Sequence, residues 1–162
     1  MTMENYPKAI ENHFASLKCS EQLNDTKGVG DSYGDIAFIY DKMKDYPKSL
    51  SNSISALQKY KQFADPYLIA AAYRDAGKAN NKLKRTDIAI KYLDSSLVIY
   101  EKENEMEEIA KSYFLMSGFY QINEQKSKYY LDKAIEISKK TKVIVIQNII
   151  FALSVKVIIL TL

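Results

Sequence analysis

Asp45-Tyr46-Pro47-Lys48-Ser49-Leu50 decides how this chain is read, because it is echoed on either side at one spacing. Forty residues earlier stands Asn5-Tyr6-Pro7-Lys8-Ala9-Ile10, and forty later Arg85-Thr86-Asp87-Ile88-Ala89-Ile90. Self-similarity at a fixed period marks a repeat architecture. In it, one supersecondary unit that cannot bury its own apolar face is stacked on copies of itself.

Working outward, the apolar positions follow helical spacing. Ala9, Ile10, His13, Ser16 and Leu17 fall at i, i+1, i+4, i+7 and i+8, the pattern of one buried face. Ser49, Leu50, Ser53, Ala56 and Leu57 repeat that register, as do Ala89, Ile90, Leu93, Ser96 and Leu97. The spacing predicts helices over about 5–23, 30–43, 46–62, 66–83, 86–102, 107–122 and 125–139. Pro7 suits a first turn, where a missing N–H costs little. Asn24-Asp25-Thr26-Lys27-Gly28 reads as a break, Lys44-Asp45 as a tight turn, and Ala64-Asp65-Pro66 as a cap and restart. The second helix is expected to bury Tyr33, Ile36, Ala37 and Tyr40, with Ala76 and Gly77 in the positions of Ile36 and Ala37. Ala134 follows Ser96 by 38, so the turn near Asn123 is two residues shorter, a change that a connection tolerates. Small residues recur where helices must approach closely: Ala37 and Gly77 on one helix of a pair, and Ala9, Ser49, Ala89, Ala56 and Ala134 on the other. A leucine there would overpack the seam, at about 1–3 kcal/mol. The expected fold is all-α: an α-solenoid of antiparallel pairs with seven to eight helices, the repeats filling 1–140.

Composition agrees with long helices and narrows the function. The chain of 162 residues is about one domain and long enough to bury a core. Five Gly and three Pro are too few for a turn-rich β chain. Thirteen Tyr and six Phe, without Trp, suit half-buried seams in which the ring packs and the hydroxyl stays wet. A net charge of +3 makes no case for a nucleic-acid partner. Cys19, the single cysteine, fits a reducing compartment, and Met1–Lys8 lacks the basic-then-apolar order of a secretory signal, so a cytoplasmic location is expected.

The residues that carry chemistry in other proteins are sparse. Gly28, Gly30 and Gly34 do not make a phosphate-binding loop, since no strand precedes them and no Gly-Lys-Ser/Thr follows. His13 is the sole histidine and faces a repeat seam, where it reads as packing. Cys19 lacks a nearby histidine that would make it a nucleophile. One Cys and one His give no metal-ligand spacing. The acidic run Glu101–Glu108 reads as a solvated junction whose carboxylates favour a helix N-terminus. No catalytic, cofactor or metal residue is expected, and no enzyme.

Ile36-Ala37…Tyr40…Ser49…Ala56, followed by Ala76-Gly77…Ala89…Ser96, resembles the tetratricopeptide repeat, in the roughly forty-residue variety of bacterial sensory and regulatory proteins. The likeness covers residues 5–140 and departs at Asn80, where an aromatic is usual, and at Ser53 and His13, where a large side chain is. It implies a non-enzymatic scaffold that holds a peptide or helix of a partner protein in a concave groove lined by the first helix of each pair. Carried over position by position, the groove residues are Asp31, Gly34, Phe38 and Asp41, then Arg74, Lys78, Asn81 and Lys82, then Lys111, Phe114 and Gln121. Their lysines, arginine and amides suggest an acidic guest, with Phe38 and Phe114 as apolar anchors. The carboxylate clamp for chaperone tails is not reproduced, because Gly34 and Phe38 stand where it would need Lys and Asn.

The ends break the repeat phase, which suggests a piece of a longer protein. Residues 5–23 form a second helix without a first, and an apolar helix over 141–162 would be a first without a second. From Val143 to Leu162, 15 of 20 residues are apolar. This segment either stacks as the next helix, with Leu153 and Ser154 echoing Met116 and Ser117, or spans a membrane. The membrane alternative would make the chain the sensory part of a bacterial signalling protein, of histidine-kinase or transcription-regulator type.

Overall fold

Five turn residues set the architecture. Asn24, Lys44, Ala64, Lys84 and Asn104 all adopt positive φ, between 54° and 63°, and they stand 20 residues apart. Each ends a helix in the left-handed region and hands the chain to the next. In the computed structural model, which describes residues 5–120 and 123–141, these turns separate α1 (Tyr6–Gln22), α2 (Thr26–Lys42), α3 (Tyr46–Phe63), α4 (Pro66–Lys82), α5 (Thr86–Lys102) and α6 (Met106–Phe119); α7 (Glu124–Thr141) follows. Three of the residues after these turns are aspartates whose carboxylates cap the helix they open. Asp25, Asp45 and Asp65 accept from the backbone N–H of Gly28, Lys48 and Leu68 at 2.9, 3.3 and 3.0 Å.

The forty-residue register is the register of the core. Ile36, Ala76 and Met116 are buried at equivalent places on α2, α4 and α6, and so are Gly30, Ala70 and Ala110. On the alternate helices Ser49, Ser53, Ala56, Leu57 and Tyr60 are matched by Ala89, Leu93, Ser96, Leu97 and Tyr100, all buried. The fold is an all-α helical repeat of antiparallel neighbours.

Two expectations need correction. The break before the second helix is narrower than its glycines suggest, since α2 begins at Thr26. Gly28 and Gly30 are helical, and their missing side chains leave room for neighbours: a Cβ on Gly28 would lie 2.6 Å from Ser20 Oγ, and one on Gly30 2.7 Å from Tyr60 Cε1. The face expected to be buried on the first helix is mostly half-wet. Only Leu17 is buried on α1, whereas Ala9, Ile10 and His13 are half-buried and Ser16 is exposed. Among the described residues α1 packs chiefly on α2 and lacks the second neighbour that buries the equivalent face of α3.

The described residues divide into two compact units inside α5, between Ile99 and Tyr100. In the first, α2 packs on α1 and α3, and α3 on α4. The α4–α5 seam is tight: a Cβ on Gly77 would lie 3.1 Å from the Ala89 carbonyl oxygen, and Ser96 donates to the Ala70 carbonyl at 2.8 Å. Asn80, in the usual aromatic position, is buried and satisfied by its own helix, its amide donating to Ala76 O at 2.9 Å. In the second unit α6 packs on α7. Ser127 donates to the Ser117 carbonyl at 2.9 Å, and the Tyr130 ring stacks with Tyr113 and Tyr120 at centroid distances of 6.2 and 5.7 Å. Among the described residues no helix is long and apolar enough to cross a membrane. The apolar segment 143–162, with its stacking and membrane readings, lies outside the described residues.

Candidate interaction groove

Within the first unit, α2 and α4 stand side by side over α3 and enclose an open groove of about 630 Å³. Small side chains keep its floor low: Ser49, Ser53 and Ala56 from α3, with Ala37 and Ala72 at the feet of the walls. Helix periodicity sets the walls. Asp31, Gly34, Asp35, Phe38, Asp41 and Lys42 recur every three or four residues along α2, and Leu68, Ala71, Ala72, Asp75 and Lys78 do so along α4. Phe38 is 58% exposed despite its size, and the Lys42 ammonium sits 4.9 Å from its ring centroid.

One end of the groove is built rigidly. Tyr60 is buried with its ring against Gly30, and its hydroxyl donates to Asp31 Oδ1 at 3.0 Å. Lys27 holds the other oxygen of the same carboxylate at 2.7 Å. Burial first, then the Asp31 charge and hydrogen bond, push the Tyr60 phenol well above the ordinary value of 10.0. The same Asp31 bond holds the Lys27 ammonium above its ordinary value. Farther along, Asp75 pairs with Lys78 at 2.8 Å, and His13 Nδ1 from α1 lies 3.4 Å from Asp35. On the floor the Ser53 hydroxyl is buried and has no hydrogen-bond partner among the described residues.

The groove gathers some of the expected residues and omits others. Asp31, Gly34, Phe38, Asp41 and Lys78 line it together. Arg74, Asn81 and Lys82 do not: the lining stripe of α4 runs through Leu68, Ala71, Asp75 and Lys78, and Arg74 is one helical step off it. Asn81 accepts from the Thr86 hydroxyl at 3.2 Å, fastening the α4–α5 turn. Lys111 and Phe114 are half-buried on α6 in the second unit, where the Lys111 ammonium pairs with Glu107 and Glu108 at 2.6 and 2.8 Å. Gln121 lies outside the described residues. Sequence reasoning missed Asp35, Asp75, Lys42, Tyr60 and Ser53. A signal for two of them was present, since Asp35 and Asp75 are forty residues apart and so share one place in the repeat.

The charge of the walls lends the expected acidic guest no support: four carboxylates, Asp31, Asp35, Asp41 and Asp75, stand with two ammoniums, Lys42 and Lys78. No cluster of His, Cys, Asp or Glu among the described residues is arranged to hold a metal ion.

No protein-family model matches the chain, and no curated protein does. Solved structures do match. The apo form of RapI superposes with a TM-score of 0.73 at 21% identity, over 86% of this chain and 49% of that one. BtubC (BKLC) from P. vanneervenii superposes with a TM-score of 0.68 at 19% identity, over 86% of this chain and 59% of that one. The helical-repeat fold is shared. At these identities the likeness is one of fold, in keeping with the tetratricopeptide-like register, and the chain spans only 49% and 59% of the lengths of these two structures.

Proposed function

We propose that the chain is a protein-interaction module that holds a peptide or helical segment of a partner protein in the groove between α2 and α4. The observation that carries this reading is the groove itself. Two neighbouring walls rise over a floor of Ser and Ala, and Phe38 stands exposed on one rim. An exposed aromatic beside a low floor supplies an apolar anchor and leaves depth for a backbone. Arg74, Asn81 and Lys82, beside the lining stripe of α4, extend the proposal as secondary contacts for a longer guest.

Gly34 offers a clean test. A Cβ on it would meet only the Tyr60 hydroxyl oxygen, at 3.4 Å, and Gly34 lines the groove, so a bulky side chain placed there is expected to fill it. The full chain and its Gly34→Trp variant are compared in retention of partners from extract and in thermal unfolding. Partners that the wild type retains and the equally stable plugged variant releases support the groove. Equal retention by both variants sends the interaction to another face.

A further inference from the structure

The groove runs against the charge of the chain that carries it. The sequence has a net charge of +3, yet the groove lining has four carboxylates and two ammoniums. Resting on the groove reading above, we propose that the guest inserts a cationic side chain, lysine or arginine, between α2 and α4.

The existing partners of these groups indicate where the cation goes. Asp31 is already engaged at both oxygens, one by Tyr60 and the other by Lys27, so it shapes the end of the groove and is less open to a guest than its neighbours. Asp75 is shared with Lys78, and Lys42 rests over the Phe38 ring. Among the described residues Asp35 is met only by His13, at 3.4 Å, and its side chain is 60% exposed. Asp41 has no side-chain partner among the described residues. Two carboxylates on the α2 wall, Asp35 and Asp41, are therefore the ones available to accept hydrogen bonds from a guest.

An independent observation lies on the floor. Ser53 is 2% exposed and its hydroxyl has no partner, although buried polar groups are normally satisfied. The hydroxyl lies just beneath the floor, so a guest N–H donor that parts the floor side chains would satisfy it, and the charged donors of Lys and Arg are suited to hydroxyl and carboxylate alike. The methylene stem of such a side chain would lie along Ala37, Ala56 and Ala72. A carboxylate guest would meet like charge on both walls. A metal ion is a poor alternative, because no three acidic groups among the described residues are close enough to share one.

The test uses the full chain and three short fluorescein-labelled peptides of one Gly/Ser/Leu framework, carrying arginines, glutamines or glutamates at the same positions. The arginine peptide is expected to bind about tenfold more tightly than the glutamine peptide, the glutamate peptide more weakly still, and the preference to shrink as salt rises. Asp35→Asn with Asp41→Asn should weaken the arginine peptide about fivefold or more. Glu103→Gln with Asp132→Asn, the same charge change at exposed sites off the groove, should leave it unchanged. Glutamine or glutamate peptides that bind as tightly as the arginine peptide, and are blocked by Gly34→Trp, would overturn the cationic guest and keep the groove. Arginine binding that both charge pairs weaken equally would reveal general attraction and overturn the inference. If Gly34→Trp leaves the binding of every peptide unchanged, or none binds, the groove reading falls and takes the inference with it.

Discussion

The Tyr60 ring stands where a side chain on Gly30 would have to be, its Cε1 2.7 Å from the place of a Cβ. Across one helix–helix seam the smallest residue of α2 therefore admits the largest buried side chain of α3. The depth of insertion brings the Tyr60 hydroxyl to Asp31, one helical position past Gly30, and so fixes a carboxylate at the mouth of the groove. Packing and site geometry are one arrangement here.

Gly30→Ala should accordingly destabilise the chain by about 1–3 kcal/mol through overpacking, despite the better helix propensity of alanine. Gly34→Ala, one turn along, is expected to act in the opposite sense. Its Cβ meets only the Tyr60 hydroxyl oxygen, at 3.4 Å, so the gain in propensity of about 0.5–1 kcal/mol survives. Urea unfolding of the two variants reads the contrast; destabilisation of both to the same extent would mean that the ring contact does not decide the outcome.

Tyr60 also predicts how stability responds to alkali. Its phenol is raised above the ordinary 10.0 in the folded chain, so folding favours the neutral form. The stabilisation is complete below pH 10 and is lost as pH rises from there toward the folded value. Tyr60→Phe should cost about 0.5–1.5 kcal/mol at neutral pH, for the lost hydrogen bond. Above pH 10 its stability should decline less steeply than that of the wild type, the remaining slope including Tyr113, which burial also raises. Parallel curves for the two proteins would contradict this.

The left-handed turns make a third prediction. Ala64 caps α3 at φ 62°, a region that costs a residue with a Cβ about 1–2 kcal/mol. Ala64→Gly removes that strain and adds about 0.4–1 kcal/mol of backbone entropy to the unfolded chain, leaving a net gain of about 0.5–1 kcal/mol. The adjacent Asp65→Ala deletes the carboxylate that accepts from Leu68 N–H and should cost about 1 kcal/mol. Opposite shifts in melting temperature at neighbouring residues are the expected result.

Ser53 separates stability from binding. Ser53→Ala removes a buried hydroxyl that has no partner, so the free chain should be as stable as the wild type or up to about 1 kcal/mol more so. The same change should loosen the arginine peptide, because a buried acceptor is lost. A variant that is less stable and binds unchanged would show the hydroxyl to be satisfied within the fold.

Much of this was legible in the one-letter sequence, and the limits have physical causes. The forty-residue echo located Ile36, Ala76 and Met116 on equivalent faces because burial repeats when the unit repeats. The run Asn24–Gly28 reads as a break, yet only its first two residues are one: Asn24 takes positive φ, Asp25 caps, and α2 begins at Thr26. The groove was half legible. The α2 wall came out at Asp31, Gly34, Phe38 and Asp41, but the same repeat positions were assumed to serve on α4. A stacked helix turns one flank to the element before it and another to the element after. The groove shares the places of Asp31 and Ala71, of Asp35 and Asp75 and of Phe38 and Lys78, but otherwise takes α2 by the flank of Gly34, Asp41 and Lys42 and α4 by the flank of Leu68 and Ala72, which leaves out Arg74, Asn81 and Lys82. No periodicity reports that asymmetry; it appears only when two helices are set side by side.

The evenly placed turns, 20 residues apart from Asn24 to Asn104, impose a parity rule on any change of length. In the first unit, a single helix with its turn inserted between α2 and α4 would put a floor helix where a wall belongs, presenting Tyr60-type rings where Asp and Phe should be. Two such steps, forty residues, restore the alternation. Insertions inside the groove set should therefore succeed in even numbers of helices and fail in odd ones.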